Sequence, residues 1–128
     1  QVNLNEALKY YKMAADNGNE KAAMKYGEML YNGDGIPINK KEALLYFKIA
    51  ADNENVEAMM YCGKMLYNGE GTQVNKEEAL KYYKMAADNG NRVAILKYGG
   101  MLYDGDGTQV NKTEAARYFI MLNKNSFI

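Results

Sequence analysis

The sequence predicts an all-α fold, a solenoid of antiparallel helix pairs built from 36-residue repeats. A glycine-flanked turn at 31–35 returns at 67–71 and again at 103–107, so the spacing is 36 residues both times. Segments 1–36 and 73–108 are identical at 27 of their 36 positions. A fixed period of this length indicates an array in which each unit buries its apolar face only against its neighbours.

The repeats divide the chain into three full units and a partial fourth, all within a single repeat domain. We place the units at 1–36, 37–72 and 73–108, followed by a terminal helix within 109–128. The chain begins at Gln1, already in repeat register, and stops part-way through a unit. We therefore expect a piece of a longer protein, whose compartment the sequence leaves unassigned.

The first helix of each unit opens with an asparagine cap. Asn3 and Glu6 form a capping box, in which the asparagine side chain accepts from free amides of the first turn. Alanine, leucine and tyrosine side chains then recur at helical spacing, which predicts a helix from about Leu4 to Asn17. The pair recurs as Asn39/Glu42, Asn75/Glu78 and Asn111/Glu114.

Glycines predict where these first helices end. Gly18 and Gly90 suit the left-handed conformation that commonly closes a helix, because glycine has no Cβ to oppose it. Glu54 stands at the same place in the second unit. We expect that helix end to be strained or to be terminated differently.

The second helix of each unit carries a glycine at its middle. Asn19 caps a helix predicted over about 20–32, and the Gly-x-Gly turn then reverses the chain. Gly27 has counterparts at Gly63 and Gly99. Since glycine costs about 1 kcal/mol relative to alanine inside a helix, we expect close approach of a neighbouring helix backbone to compensate.

The fourth unit reads as a terminal helix from near Lys112 that covers the last apolar surface. Ile120 replaces a lysine that the other units carry at this position. An end of a repeat array exposes a surface built to receive another unit. We therefore expect the chain to self-stack through exposed repeat ends.

Composition argues against several classes of function. The 16 basic and 16 acidic residues cancel, so no basic excess predicts nucleic-acid binding, and no run of 18 apolar residues predicts a membrane span. Histidine is absent, which excludes Ser–His and Cys–His nucleophile pairs and histidine-containing zinc sites. The only cysteine, Cys62, is interpreted as an apolar core residue. We expect no catalytic residue, cofactor or metal.

The Gly-x-Gly turns do not match known ligand loops. They lack the third glycine of a dinucleotide fingerprint and the Gly-Lys-Ser/Thr of a phosphate loop. An EF-hand loop started at Asp104 would place Gln109 and Ala115 where glycine and glutamate are needed. We interpret the turns as structural.

One residue pattern resembles a known family. In the first unit, its residues are Ala7, Tyr10, Tyr11, Ala14, Ala15, Gly18, Ala22, Gly27, Leu30, Tyr31, Gly33 and Gly35. With this pattern the chain is similar to the Sel1-like repeat, the longer relative of the tetratricopeptide repeat, over nearly its whole length. This resemblance implies a right-handed superhelix of antiparallel helix pairs that acts as a scaffold or adaptor in protein complexes.

The polar face of the first helices is the candidate binding surface, because the resemblance implies that this face lines the concave side. Its cations could hold the carboxylates of an extended or helical peptide, and Leu45, which interrupts them, marks a contact hot spot. The alternative is a solvated face on which neighbouring lysines and aspartates satisfy each other. The candidate residues are Lys9, Lys12, Leu45, Lys48, Lys81, Lys84 and Arg117.

A column is the set of residues at one position in successive repeats. The methionine columns and one tyrosine column leave alternative interpretations open. The methionine columns that include Met13 and Met29 either fill gaps between helices or form an adaptable binding surface. The tyrosine hydroxyls of the column that begins at Tyr10 reach either a groove or another helix. The second column of aromatics, which begins at Tyr11, alternates Tyr with Phe and so predicts packing.

The sequence thus predicts a non-catalytic protein–protein interaction module that binds a protein or peptide ligand. The alternative is a structural or regulatory segment that packs within a larger multi-repeat protein. An enzyme is the least favoured class, because each acidic residue we placed lies on a cap, a turn or a polar face.

Overall fold

The computed structural model describes residues 3–126, with side chains through residue 123. Over this range the chain is entirely helical and forms a solenoid, as predicted. No helix in it is both long and apolar enough to cross a membrane. The helices are α1 (Leu4–Asp16), α2 (Glu20–Asn32), α3 (Lys40–Asp52), α4 (Val56–Asn68), α5 (Lys76–Asp88), α6 (Arg92–Asp104) and α7 (Lys112–Ser126).

Each helix packs mainly against the helix before it and the helix after it. The first helices of the units are α1, α3, α5 and α7, and the second helices are α2, α4 and α6. The first helix ends at Asp16, one residue before the predicted end. The fold is therefore a linear stack in which every layer shares its core with the next.

Asparagine caps begin the helices as predicted. The Asn3 side chain accepts from the Glu6 amide at 2.8 Å, and the Asn19 side chain accepts from the Ala22 amide at 2.9 Å. Asn111 accepts in the same way from the Glu114 amide at 3.0 Å. These bonds satisfy backbone donors that have no partner within the helix, and each contributes about 1 kcal/mol.

The helix end at Glu54 differs from its counterparts in residue type but not in backbone conformation. Glu54 adopts a φ of +73°, whereas Gly18 and Gly90 hold the same left-handed conformation at +85° and +84°. A side chain in this region crowds the following carbonyl at a cost of about 1 kcal/mol. The prediction of a strained end is thus confirmed.

The mid-helix glycines receive aromatic rings from the next first helix. A Cβ on Gly27 would lie 2.8 Å from Phe47 Cε1, and a Cβ on Gly63 would lie 2.8 Å from Tyr83 Cε1. The predicted approach of a neighbouring helix backbone was wrong, because the group that fills this space is an aromatic side chain. The prediction that this aromatic column is packing is confirmed.

Among the described residues, the core contains alanines, leucines, these aromatic rings and five buried methionines. Met29, Met65 and Met101 are buried, so this column fills gaps between helices, whereas Met13 is exposed. Cys62 is fully buried, and burial raises the pKa of its thiol to about 12. Its interpretation as a core residue is confirmed.

Candidate protein-interaction surfaces

The first helices lie side by side and are joined by polar bonds on one surface, which we call the first-helix face. The Tyr46 hydroxyl on α3 donates to Asp16 on α1 at 2.7 Å, and the Tyr118 hydroxyl on α7 donates to an Asp88 carboxylate oxygen on α5 at 2.6 Å. The hydroxyls of Tyr46 and Tyr118 therefore reach another helix, which is one of the two alternatives for their column. Tyr10, on the first helix of the stack, is 62% exposed.

Two aspartates of this face, Asp16 and Asp88, are held in their charged form. The hydroxyl of Tyr46, assisted by Lys12, lowers the pKa of Asp16. Burial alone would raise the pKa of Asp88, but hydrogen bonds from Tyr118 and Lys84 outweigh it and lower that pKa. These two aspartates are thus part of the inter-helix packing.

One row of the predicted cations consists of Lys12, Lys48 and Lys84, which occupy the same position in successive repeats. This row is paired with carboxylates. Lys12 Nζ lies 3.1 Å from Asp16, and Lys84 Nζ lies 3.0 Å from Asp88. Lys48 instead crosses to the next first helix, with Nζ 3.0 Å from Glu78. Arg117 is paired with Glu114 at 2.8 Å. Exposed pairs of this kind stabilise a fold by at most about 1 kcal/mol, so they exchange readily with other partners.

The row formed by Lys9, Leu45, Lys81 and Arg117 is different, because Arg117 is its only cation in an ion pair among the described residues. Among residues 3–126, neither Lys9 nor Lys81 is in an ion pair, and Lys81 Nζ lies 5.9 Å from the centre of the Tyr82 ring. Leu45 is 58% exposed. The structure therefore places an uncovered leucine on the helix between two helices that carry unneutralised cations.

The side formed by the second helices carries a repeated polar clamp. The Tyr31 hydroxyl donates to Glu70 at 2.6 Å, and Lys40 Nζ lies 3.2 Å from the same carboxylate and 4.7 Å from the Tyr31 ring centre. Glu70 is the middle residue of its Gly-x-Gly turn. Each clamp thus joins the end of one second helix to the turn of the next unit.

The clamp recurs one unit later. Tyr67 donates to Asp106, and Lys76 Nζ lies 3.1 Å from Asp106 and 4.9 Å from the Tyr67 ring centre. Sequence reasoning assigned these turns a structural role but missed their acidic middle residue. The available signal was that an acid occupies this position in all three turns.

Between successive second helices lie two equivalent spaces, which we call the first interval and the second interval. The first interval, between α2 and α4, is filled by the Tyr61 ring. That ring stacks on Phe47 with centroids 4.2 Å apart and an interplanar angle of 4°, and it meets Tyr31 edge-on at 5.3 Å. The Lys64 ammonium closes the outside, 5.1 Å from the Tyr31 ring centre.

The second interval, between α4 and α6, is an open groove. Lys97 stands here in the place of Tyr61, and Gly100 stands in the place of Lys64. The resulting cavity has a volume of about 530 Å³ and adjoins a smaller one of about 200 Å³ beside Gly100. The larger cavity is lined by Glu57, Met60, Tyr61, Lys64, Tyr67, Asn68, Tyr83, Val93 and Lys97.

A family model matches the chain along the whole of its repeated region. The Sel1 repeat matches at residues 1–19, 20–55, 56–91 and 92–124. The chain belongs to the Sel1 repeat family. The matched Sel1 units keep the 36-residue period but each full one begins on a second helix, so that it pairs α2 with α3, α4 with α5 and α6 with α7.

Solved structures show the same architecture. A protective antigen of uropathogenic Escherichia coli strains with an SLR fold is 26% identical with a TM-score of 0.82, and the match covers 96% of this chain and 26% of that one. A Sel1 repeat protein from Oxalobacter formigenes is 27% identical with a TM-score of 0.76, covering 92% of this chain and 51% of that one. The present chain thus spans about half or less of these two proteins.

A more distant structure agrees in fold alone. Cysteine rich protein B of Helicobacter pylori is 21% identical with a TM-score of 0.68, and the match covers 94% of this chain and 86% of that one. A comparison with curated protein sequences gave no significant match.

Sel1 repeat proteins generally act in protein–protein interaction and are generally non-enzymatic scaffolds. Within residues 3–126, no three acidic or cysteine side chains are grouped so that they could hold a metal ion. The two surfaces that remain to be assigned are the first-helix face and the groove of the second interval.

Proposed function

We propose that this Sel1 repeat chain is a non-catalytic scaffold or adaptor module that binds a peptide or protein segment on its first-helix face. The observation that carries the proposal is Leu45, which is 58% exposed on the helix between those that bear Lys9 and Lys81. An apolar side chain surrounded by cations suits a ligand that combines an apolar residue with carboxylates. The family resemblance implies that this is the concave face, and this implication supports the proposal.

The two cation rows would contribute in different ways. Lys9 and Lys81 have no carboxylate partner among the described residues, so a ligand meets them without first breaking an ion pair. Lys12, Lys48 and Lys84 have such partners, and they would mainly attract an acidic ligand over distance. This attraction weakens with salt, because the screening length is about 8 Å at physiological ionic strength.

A second candidate is a structural or regulatory segment within a larger multi-repeat protein. The observation that favours it is the exposure of Tyr10 and Met13 on α1. Tyr46, which occupies the position of Tyr10 in the second unit, is buried and meets Tyr26 of α2 edge-on at 4.8 Å. A second helix of another repeat, or of another copy, would cover α1 in the same way.

Catalysis and nucleic-acid binding do not belong to the proposed function. The sequence has no histidine and its charges cancel. On the first-helix face, Asp16 and Asp88 accept hydrogen bonds from neighbouring tyrosines, which is typical of packing rather than of proton transfer. We propose no cofactor.

The test is binding to an array of acidic peptides that each carry one apolar residue. A Leu45→Ser/Lys9→Glu/Lys81→Glu variant should lose binding by at least about tenfold, since it removes the apolar contact and reverses two charges. A Lys12→Glu/Lys48→Glu/Lys84→Glu variant should mainly slow association and reduce its salt dependence. Circular dichroism would confirm that each variant keeps its helical content.

The matched control is Lys21→Glu/Lys25→Glu, which makes the same charge change on α2. It should leave binding unchanged. Equal loss in the control and in the Lys9/Lys81 variant would show a non-specific charge effect and would contradict the proposed site. No binding by the native chain would favour the structural segment.

A further inference from the structure

The second interval has the walls of an aromatic stacking site but lacks the ring that fills it. In the first interval, Tyr61 stacks between Phe47 and Tyr31. Tyr83 and Tyr67 occupy the positions of Phe47 and Tyr31 one unit later. Within the part of the chain that the structure describes, neither of them meets another ring.

The walls of this groove are held in place before anything binds. The Tyr67 hydroxyl is bonded to Asp106, and Lys76 lies over the Tyr67 ring at 4.9 Å. Tyr83 is fixed against Gly63 and is only 4% exposed, so it forms the floor. Because the same clamps operate in both intervals, the open groove results from the replacement of Tyr61 by Lys97.

The groove is apolar inside and positively charged at its rim. Val93 on α6 is 55% exposed and lines the groove, Met60 lines it from α4, and Leu96, which is 56% exposed on α6, lines the adjoining smaller cavity. Lys64, Lys97 and the carboxylate Glu57 line the opening, so two positive charges face one negative charge, and Lys97 is in no ion pair among the described residues. A volume of about 530 Å³ lies within the range of pockets that hold small ligands and anchoring side chains.

We propose that this groove binds an aromatic side chain of a partner protein, presented on a segment with acidic residues beside it. The ring takes the place in the second interval that Tyr61 takes in the first, against Tyr67 and above Tyr83. Neighbouring carboxylates meet the ammonium groups of Lys64 and Lys97. The site lies on the second helices and is independent of the site proposed on the first-helix face.

The chemistry of the walls selects this occupant. An aromatic ring buries a large area at a low cost in conformational entropy, and its face accepts a lysine ammonium. Lys97 can therefore contact both the ring and an adjacent carboxylate. A purely aliphatic ligand would leave Lys97 without a partner.

The experiment is a titration with the peptide acetyl-Glu-Tyr-Glu-amide, followed by NMR of methyl groups. At roughly 1 mM peptide, a range suited to one anchoring side chain, the methyl signals of Met60, Val93 and Leu96 should shift. Lys97→Tyr should weaken binding at least tenfold, because the new ring fills the groove as Tyr61 fills the first interval. Val93→Glu should weaken it as well, through repulsion of the peptide carboxylates.

Two matched variants test the comparison directly. Lys25→Tyr makes the same substitution at the equivalent position of α2 and should leave binding unchanged. Tyr61→Lys should open the first interval and add a second site, seen as a new shift of the Met24 methyl. The Lys9→Glu/Lys81→Glu variant should bind the peptide normally, which separates this proposal from the function proposed above.

Several results would overturn the proposal. These are the absence of shifts in the native chain, equal affinity in Lys97→Tyr, and equal affinity for a peptide with alanine in place of tyrosine. Groove shifts that depend on protein concentration without peptide would show that a second copy is the occupant, and would also reject it.

Discussion

The two intervals between second helices show how one position changes a repeat from closed to open. Both contain a glycine–aromatic contact and a Tyr–acid–Lys clamp. In the first interval Tyr61 completes the packing, whereas in the second Lys97 leaves a groove of about 530 Å³. The comparison shows that the shared clamps hold the repeats together. The outward-facing position occupied by Tyr61 on α4 and by Lys97 on α6 decides whether the space between two second helices is filled or open.

The largest expected effect comes from the contact that both intervals share. Gly27→Leu and Gly63→Leu should each lower the free energy of unfolding by about 3 kcal/mol, because the new side chain collides with Phe47 or Tyr83. Urea denaturation followed by circular dichroism measures this.

Gly100→Leu is the matched control for these two variants. A Cβ at Gly100 would have no neighbouring heavy atom within 4 Å, and a leucine has the better helix propensity. This variant should be unchanged or more stable by up to about 1 kcal/mol. A loss equal to that of Gly63→Leu would refute the packing role of the mid-helix glycines.

An intermediate effect is expected where the intervals differ. Tyr61→Lys should destabilise the chain by about 2 kcal/mol, because it removes the stacked ring from Phe47 and the edge contact with Tyr31. Lys97→Tyr should stabilise it by about 1 kcal/mol by adding the corresponding ring to the second interval. If neither unfolding midpoint moves, the two intervals do not differ in packing as described.

The smallest effect concerns the pH dependence of the clamps. Burial raises the pKa of Glu70, but the hydrogen bonds from Tyr31 and Lys40 outweigh it, so the pKa lies below 4.5. The hydroxyl of Tyr67, followed by Lys76, lowers the pKa of Asp106 below 3.8. Both carboxyl groups have a lower pKa in the folded chain than in the unfolded chain. The stabilisation that each clamp gives is therefore complete above the unfolded-state pKa and is lost as the pH falls through the folded-state pKa.

The two clamps should therefore weaken in sequence on acidification. The first interval begins to lose stability below pH 4.5, and the second begins below pH 3.8. Urea midpoints measured across this range should fall less steeply in Tyr31→Phe and in Tyr67→Phe than in the native chain. An unchanged slope in both variants would show that the tyrosine hydroxyls do not set these pKa values.

The repeat pattern was sufficient to predict the helices because each signal acts locally. The asparagine caps, the turn glycines and the strained end at Glu54 depend on residues within a few positions of one another. The nature of the group facing Gly27 was missed, because the period shows that space is needed but does not show whether backbone or a ring fills it. The structure identifies the ring as Phe47.

The candidate surface was predicted less completely than the fold. Sequence placed Lys9, Leu45 and Lys81 in one row, but it did not show that Lys48 would cross to Glu78, a partner 30 residues away. The groove was missed because reasoning from a repeat emphasises what recurs. Its signal lay at two positions that vary between the repeats, one occupied by Lys25, Tyr61 and Lys97 and the other by Glu28, Lys64 and Gly100.

The packing of each repeat against its neighbouring repeats has a consequence for folding kinetics. The side-chain hydrogen bonds that link different units join residues 30, 35 or 39 positions apart. Closing a loop of that size costs the same entropy wherever it occurs in the stack, and none of these hydrogen bonds requires the two ends of the stack to meet. Folding can therefore start at any helix pair and spread in either direction, so that additional repeats would lengthen the array without raising its rate-limiting barrier.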